Sequence, residues 1–338
     1  MVSTSNFHEP RSSDSNADAT STALREGTSN MTTRRAFLGG TLGAGAVLAL
    51  QGCTAMAPQT GKRVIVDSQI HLWGPSSPTQ PWVPNVPPQM PEPFTIERAL
   101  PLMDEAGVDR AIVVPPSWVG DRNDYALEAA RRYPGRFAVM GRLPLNKPEA
   151  AAKLPKWKDQ PGMLGVRALF LGGSERWLTD GTADWFWPAA EKAGLPVMAL
   201  AGSGAEGFVR VAERHPQLQL IIDHMGLTLA AVNAGRVPEV IGQVERLARY
   251  PHVSVKLSAV PNLSSQPYPF ADFYDHLQRL FNAYGPQRCY WGTDITNGFA
   301  KATYRQRVTH FTETLKFLSE SDKDWVMGRA LLARLKWA

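Results

Sequence analysis

From residue 62 onward, short apolar runs alternate with longer stretches in which apolar residues recur every three or four positions. Runs of four to eight apolar residues bounded by Gly, Pro or Asp predict buried strands, and a 3.6-residue period predicts amphipathic helices. The strands fall at 64–71, 111–115, 137–142, 165–170, 196–200, 218–223, 253–257 and 289–292. Helices at 96–106, 125–133, 184–193, 206–214, 237–249 and 274–284 lie between them. Several helices end on the same signals. In Tyr133-Pro134-Gly135, Ala193-Gly194-Leu195-Pro196 and His215-Pro216, Gly or Pro stands where a helix must stop and a strand begin. Eight short apolar strands alternating with helices predict a parallel sheet closed into a (β/α)8 TIM barrel over 62–338. The alternative is a doubly wound open sheet, but no Gly-rich phosphate loop follows the first strand.

The first sixty residues have a different pattern. Residues 1–30 are rich in Ser, Thr, Asn, Asp and Ala with few large apolar side chains, so they are expected to be a disordered leader, with Met31 as an alternative start. From Met31 the chain runs Thr33-Arg34-Arg35-Ala36-Phe37-Leu38 into the small, apolar run 39–50, which resembles a twin-arginine export signal. That run is shorter than the roughly 20 residues a spanning helix needs. Leu50-Gln51-Gly52-Cys53 resembles a lipobox and Ala55-Met56-Ala57 offers a soluble cleavage site. The expected location is therefore the periplasm, or the cell envelope through a lipid on Cys53, with residues 31–61 serving as signal and linker.

Composition adds limits. With 43% hydrophobic residues and ten Trp, the chain can fill a large core. The net charge of +5 is spread among Asp and Glu rather than gathered in a block, so no nucleic-acid partner is expected. Two cysteines, Cys53 and Cys289, lie in segments of different character and form no disulfide framework.

In a barrel, active-site residues project from the carboxyl ends of strands. Strand one ends Asp67-Ser68-Gln69-Ile70-His71, where period two puts Asp67, Gln69 and His71 on one face toward the mouth. Strand six ends Asp223-His224 and strand eight ends Thr293-Asp294. Arg142 at the end of strand three and Arg167 on strand four are candidate carboxylate clamps, joined by Lys256 on strand seven. Trp73, Trp82, Trp118 and Tyr268 are candidates for an aromatic wall. Any one of these has an ordinary structural explanation, such as a helix-capping Asp or a satisfied core His. Their joint occurrence at strand ends is what points to a site.

On Val66-Asp67-Ser68-Gln69-Ile70-His71-Leu72-Trp73, Ile222-Asp223-His224-Met225-Gly226, Tyr290-Trp291-Gly292-Thr293-Asp294 and Met327-Gly328-Arg329-Ala330-Leu331, residues 64–337 resemble the amidohydrolase-related family of metal-dependent barrel hydrolases. The resemblance implies a metal held by a His-x-His pair on strand one, a histidine on strand five or six, and the aspartate ending strand eight. Gln69 stands where the first histidine of the pair is expected, and strand five, through Met198 to Gly202, has none. His71, His224 and Asp294 remain as ligands for one zinc or manganese ion. An amide oxygen at Gln69 is a poor zinc ligand, so metal-independent hydrolysis is also open. The mechanism expected is Asp294 as general base on water, with His71 and His224 polarising the carbonyl of a small carboxylated lactone or ester, and Arg142, Arg167, Lys256 and Gln69 binding substrate. The rivals are a metal-dependent decarboxylase of an unsaturated carboxylic acid and a non-catalytic periplasmic binding lipoprotein.

Overall fold

The computed structural model describes residues 61–338. The leader, the twin-arginine segment, the lipobox at Cys53 and most of the linker lie outside the described residues.

Eight strands pair in parallel in chain order: β1 (Val66–Ile70), β2 (Arg110–Val113), β3 (Phe137–Gly141), β4 (Met163–Phe170), β5 (Val197–Ala201), β6 (Leu220–Ile222), β7 (Val253–Ser258) and β8 (Cys289–Gly292). This is the expected (β/α)8 barrel, with each predicted strand present and its ends within two residues of the expected bounds. The seam between β8 and β1 is stitched differently from the other junctions. Asp294 N donates to Gln69 O at 3.0 Å, and Thr293 N donates to the side chain of Asp67 at 2.8 Å. Gly292 is required there because a Cβ would fall on Ser68 Oγ.

The helices form for local reasons. The helix Ile96–Ala106 starts where Thr95 accepts from Arg98 N and stops at Gly107, whose φ of 76° suits glycine. It buries Ile96, Ala99, Met103 and Ala106, one face of a 3.6 period, against the outside of the barrel. Between β3 and β4 the crossover is instead a 3-10 run, Pro148–Asp159, where Pro155 supplies no N–H for an α ladder. No helix among the described residues is long and apolar enough to cross a membrane.

Two apolar cores result. A large one lies between the barrel and its helices, and a smaller one fills the interior with Val66, Ile112, Met140, Met198, Ile221 and Tyr290. The C-terminal helix Ala330–Leu335 closes the floor of that interior with Ala330, Leu331 and Leu335. The barrel is therefore packed from below and open only at the carboxyl ends of its strands.

Bulges decide which residues face that opening. On β1, three residues span the distance that two span on β2, so strict alternation breaks between Asp67 and Ile70. Gln69 and His71 reach the mouth, whereas Asp67 does not: its carboxylate faces the seam, where Thr293 and Tyr304 bind it. The expectation that Asp67 joins Gln69 and His71 at the mouth fails for this reason. A second shift, between the Val139–Met163 and Met140–Gly165 pairs, re-aims β4 so that Arg167 and Leu169 line the opening.

Candidate active site

The mouth encloses a cavity of about 290 Å3. Its wall divides by sector. Asp294 and Asn297 after β8, Gln69 and His71 from β1, Ser117 after β2 and Arg142 after β3 make a polar half. Leu169 and Leu171 from β4, Leu200 on β5, Leu227 and Leu229 after β6 and Leu263 after β7 make an apolar half. Arg167, His224, Thr228 and Asn262 are the polar members of that second half.

Backbone strain marks the residues that deliver the polar groups. His224, Met225 and Asp294 have φ of 51°, 58° and 49°, left-handed values that cost a non-glycine residue about 1–2 kcal/mol each. His224 and Asp294 thereby turn their side chains from the strand ends into the cavity.

Four side chains converge. His71 Nε2 stands 3.1 Å from Asp294 Oδ1, and His224 Nε2 stands 3.7 Å from Oδ2. Asn297 Nδ2 donates to Oδ2 at 2.7 Å, while Oδ1 accepts no well-aligned hydrogen bond. Burial by itself would raise the Asp294 carboxyl, but the imidazoles of His224 and His71 and the Asn297 amide outweigh it and hold the group well below the usual carboxylate range. Burial pushes His224 down to about 4, against Asp294 and Asp223, so its imidazole is neutral at physiological pH.

The second layer fixes hydrogen positions. Lys256 Nζ donates to Gln69 Oε1 at 2.8 Å, which turns the Gln69 NH2 toward His224 Nε2 at 3.1 Å and His71 Nε2 at 3.5 Å. With Nε2 accepting from Gln69, the one N–H of His224 is at Nδ1, donating to Ser258 Oγ at 2.8 Å. His71 Nδ1 donates to Val114 O at 2.7 Å. His224 therefore has no N–H left for a substrate carbonyl in this arrangement, and His71 donates at Nε2 only when doubly protonated. The expectation that both imidazoles polarise the carbonyl does not hold in this arrangement; the Gln69 NH2, backed by the buried Lys256, faces both Nε2 atoms, and a substrate oxygen gains an N–H there by displacing the longer 3.5 Å contact to His71.

Gln69 also decides the metal question. An ion ligated by His71, His224 and Asp294 would meet the hydrogens of the Gln69 NH2, not a lone pair, with the Lys256 ammonium directly behind. Among the described residues, no group of three or more His, Cys, Asp or Glu side chains is arranged to hold a metal. The donor set does not fit the zinc or manganese that the sequence left open.

The cations divide three ways. Arg142 lines the cavity; its Nη1 donates to Ser117 Oγ at 3.3 Å and its nearest carboxylate, Asp121, is 3.8 Å away. Arg167 also lines the cavity, but its Nε is paired with Asp223 at 2.8 Å. Lys256 is fully buried behind the wall, 2.8 Å from Asp223 and bonded to Gln69, so it positions groups and does not touch substrate, contrary to expectation. Burial lowers Lys256 to about 8 despite Asp223. Asp223, unassigned from sequence, is the shared counter-ion; its place just before His224 at the end of β6 was the available signal.

The aromatic wall is absent. Trp73 and Trp118 are buried and pack edge to face at 4.7 Å, Trp82 packs on the outer core, and Tyr268 bonds Thr309. None of the four lines the cavity, whose apolar surface is leucine.

A sequence model of the amidohydrolase family matches residues 66–330. The chain is 25% identical over 234 residues to an L-fucono-1,5-lactonase of Burkholderia ambifaria, covering 68% of this chain and 79% of that one. It is 26% identical over 237 residues to a 4-sulfomuconolactone hydrolase of Rhizobium radiobacter, covering 68% and 74%. Among solved structures, an amidohydrolase of Burkholderia multivorans with bound zinc superposes with a TM-score of 0.68 at 19% identity, over 81% of this chain and 99% of that one.

Proposed function

Because the chain belongs to the amidohydrolase family and is a hydrolase, we propose that its substrate is a small carboxylated lactone or ester, opened by water with Asp294 as general base. The observation that carries this reading is the Asp294 carboxylate, held ionised at the cavity between His71, His224 and Asn297. Water gives a proton to Asp294 as its oxygen bonds to the carbonyl carbon. The developing oxyanion takes the Gln69 N–H that makes the longer, 3.5 Å contact with His71 Nε2, a donor polarised by Lys256. The acyl C–O bond then breaks and Asp294 returns the proton to the leaving alkoxide, giving a hydroxy acid.

A carboxylate of such low proton affinity is a weak base, which favours an activated acyl group over an unactivated amide. Arg142, poorly neutralised by Asp121, supplies the cation for a substrate carboxylate. The two sequence relatives, named for a sugar lactone and a sulfonated lactone, support a lactone. No step requires a metal, because the Gln69 NH2 faces the place where one would bind.

Ring opening releases a proton, so a pH-stat follows it directly. Asp294→Asn is expected to lower kcat/KM by about 10²-fold or more; unchanged hydrolysis in that variant sinks the mechanism. Carbon dioxide as product would select the decarboxylase reading, and binding without turnover the non-catalytic one. We also propose export, on residues 31–53 alone; retention of the protein in the cytoplasm on changing Arg34 and Arg35 together to Lys is the expected result.

A further inference from the structure

The polar half of the mouth accounts for a carboxylate and a reacting carbonyl, but not for the leucine half. Leu169, Leu171, Leu200, Leu227, Leu229 and Leu263 come from four successive strand ends, β4 to β7, and are the large apolar side chains of that half of the lining, with Arg167, His224, Thr228 and Asn262 among them. Among the described residues, four large apolar side chains are exposed, and two of them, Leu171 at 37% and Leu229 at 47%, stand at this rim on separate loops. Two partly exposed leucines at the rim of one leucine-lined cavity are a surface that an apolar group of a ligand would cover. The six leucines contain no aromatic ring to stack a flat unsaturated one and offer no partner to a hydroxyl set against them, a costly mismatch, while Arg167, His224, Thr228 and Asn262 are the polar groups in this half.

We infer that the substrate is amphiphilic: an anionic lactone whose carboxylate meets Arg142 and whose ring carries an aliphatic substituent lying on the leucine wall and leaving between Leu171 and Leu229. This rests on the lactonase reading and narrows it. It disfavours a sugar lactone, whose hydroxyls would have to face the six leucines, although one relative is named for one. The carbonyl lies toward Asp294 and Gln69, the carboxylate toward β3, and the alkyl group toward β4–β7, so the three contacts fix one orientation in the cavity.

The test uses 5-oxooxolane-3-carboxylate bearing hydrogen, butyl or octyl at C2, with glucono-1,5-lactone as the polyol. Turnover is followed by pH-stat and affinity by calorimetry on the Asp294→Asn protein. The expected result is a kcat/KM at least about tenfold higher for butyl than for hydrogen, given the transfer energy of four methylene-sized groups discounted for partial exposure. Affinity should rise in parallel, and the butyl-to-hydrogen ratio should collapse toward one in Leu171→Asn with Leu229→Asn. Glucono-1,5-lactone opened as fast as the butyl compound overturns this inference and leaves the hydrolase reading intact. No turnover of any lactone, with affinity still rising along the alkyl series, overturns the lactonase reading but supports the amphiphile site. Affinity that is flat along the series overturns the inference whether or not turnover occurs.

Discussion

The two ends of the barrel use the same strands for opposite purposes. At the floor, Val66, Ile112, Met198, Ile221 and Tyr290 meet the C-terminal helix in an apolar plug, with only the Tyr290 hydroxyl needing partners, which Ser254 and Arg334 provide. A few residues further along the same strands, the mouth buries Asp223, Lys256, Arg167, Asp294 and two imidazoles, and holds His224 and Asp294 in left-handed backbone. The floor is what packing alone would build. The mouth retains strain and buried charge that packing would discard, which is the signature of a site kept for its chemistry.

Substitutions at each end should therefore separate activity from stability. The largest effect is expected from Asp294→Asn, which loses about 10²- to 10⁴-fold in kcat/KM while its thermal midpoint stays level or rises; parallel loss of both would make Asp294 structural. Lys256→Met comes next: it leaves Asp223 with Arg167 alone and Gln69 Oε1 without a donor. It should cost about 3–5 kcal/mol in chemical denaturation, and the remaining folded enzyme should be slower. At the floor, Leu331→Ala is expected to cost about 2–4 kcal/mol with kcat/KM per folded molecule within about twofold. A tenfold loss of activity there would erase the distinction between the ends.

The pH response should show the same contrast. His224 and His310 are both pushed by burial to about 4, so between that value and their unfolded value near 6.5 the unfolded chain binds more protons. Stability consequently falls as pH drops from 7 to 5, on the order of 1 kcal/mol per histidine, read as a lower urea midpoint. Over the same interval Asp294 stays ionised and His224 neutral, so kcat/KM should stay level. Above about 8 Lys256 loses its proton and its hold on Gln69 and Asp223, and kcat/KM should decline there. The smallest effect is expected from chelator: less than twofold loss after exhaustive treatment, and no gain on adding zinc or manganese. A tenfold loss restored by zinc would mean that the Gln69 amide turns to admit an ion.

Much of this was legible in the chain. Most strands carried a largely apolar run, several of them closed by Gly, Pro or Asp, and His71, His224, Gln69 and Asp294 stood at strand ends where barrel chemistry collects. Asp67 and Lys256 were misplaced because period two and hydropathy carry no information on bulges or on which buried cation sits behind another side chain. Trp118 was misread because an aromatic residue in a loop looks the same whether it packs on Trp73 or faces a ligand.

The eightfold alternation, the barrel and the candidate polar groups at the strand ends could be read from the chain alone, because periodicity and strand-end position are local properties. Folding in three dimensions was needed to turn the Gln69 N–H hydrogens to both imidazoles, to join Arg167 to Lys256 through Asp223, and to bring six leucines from four strand ends to one cavity. Each of those depends on contacts between residues up to 187 positions apart, set by bulges and closure that no local pattern encodes.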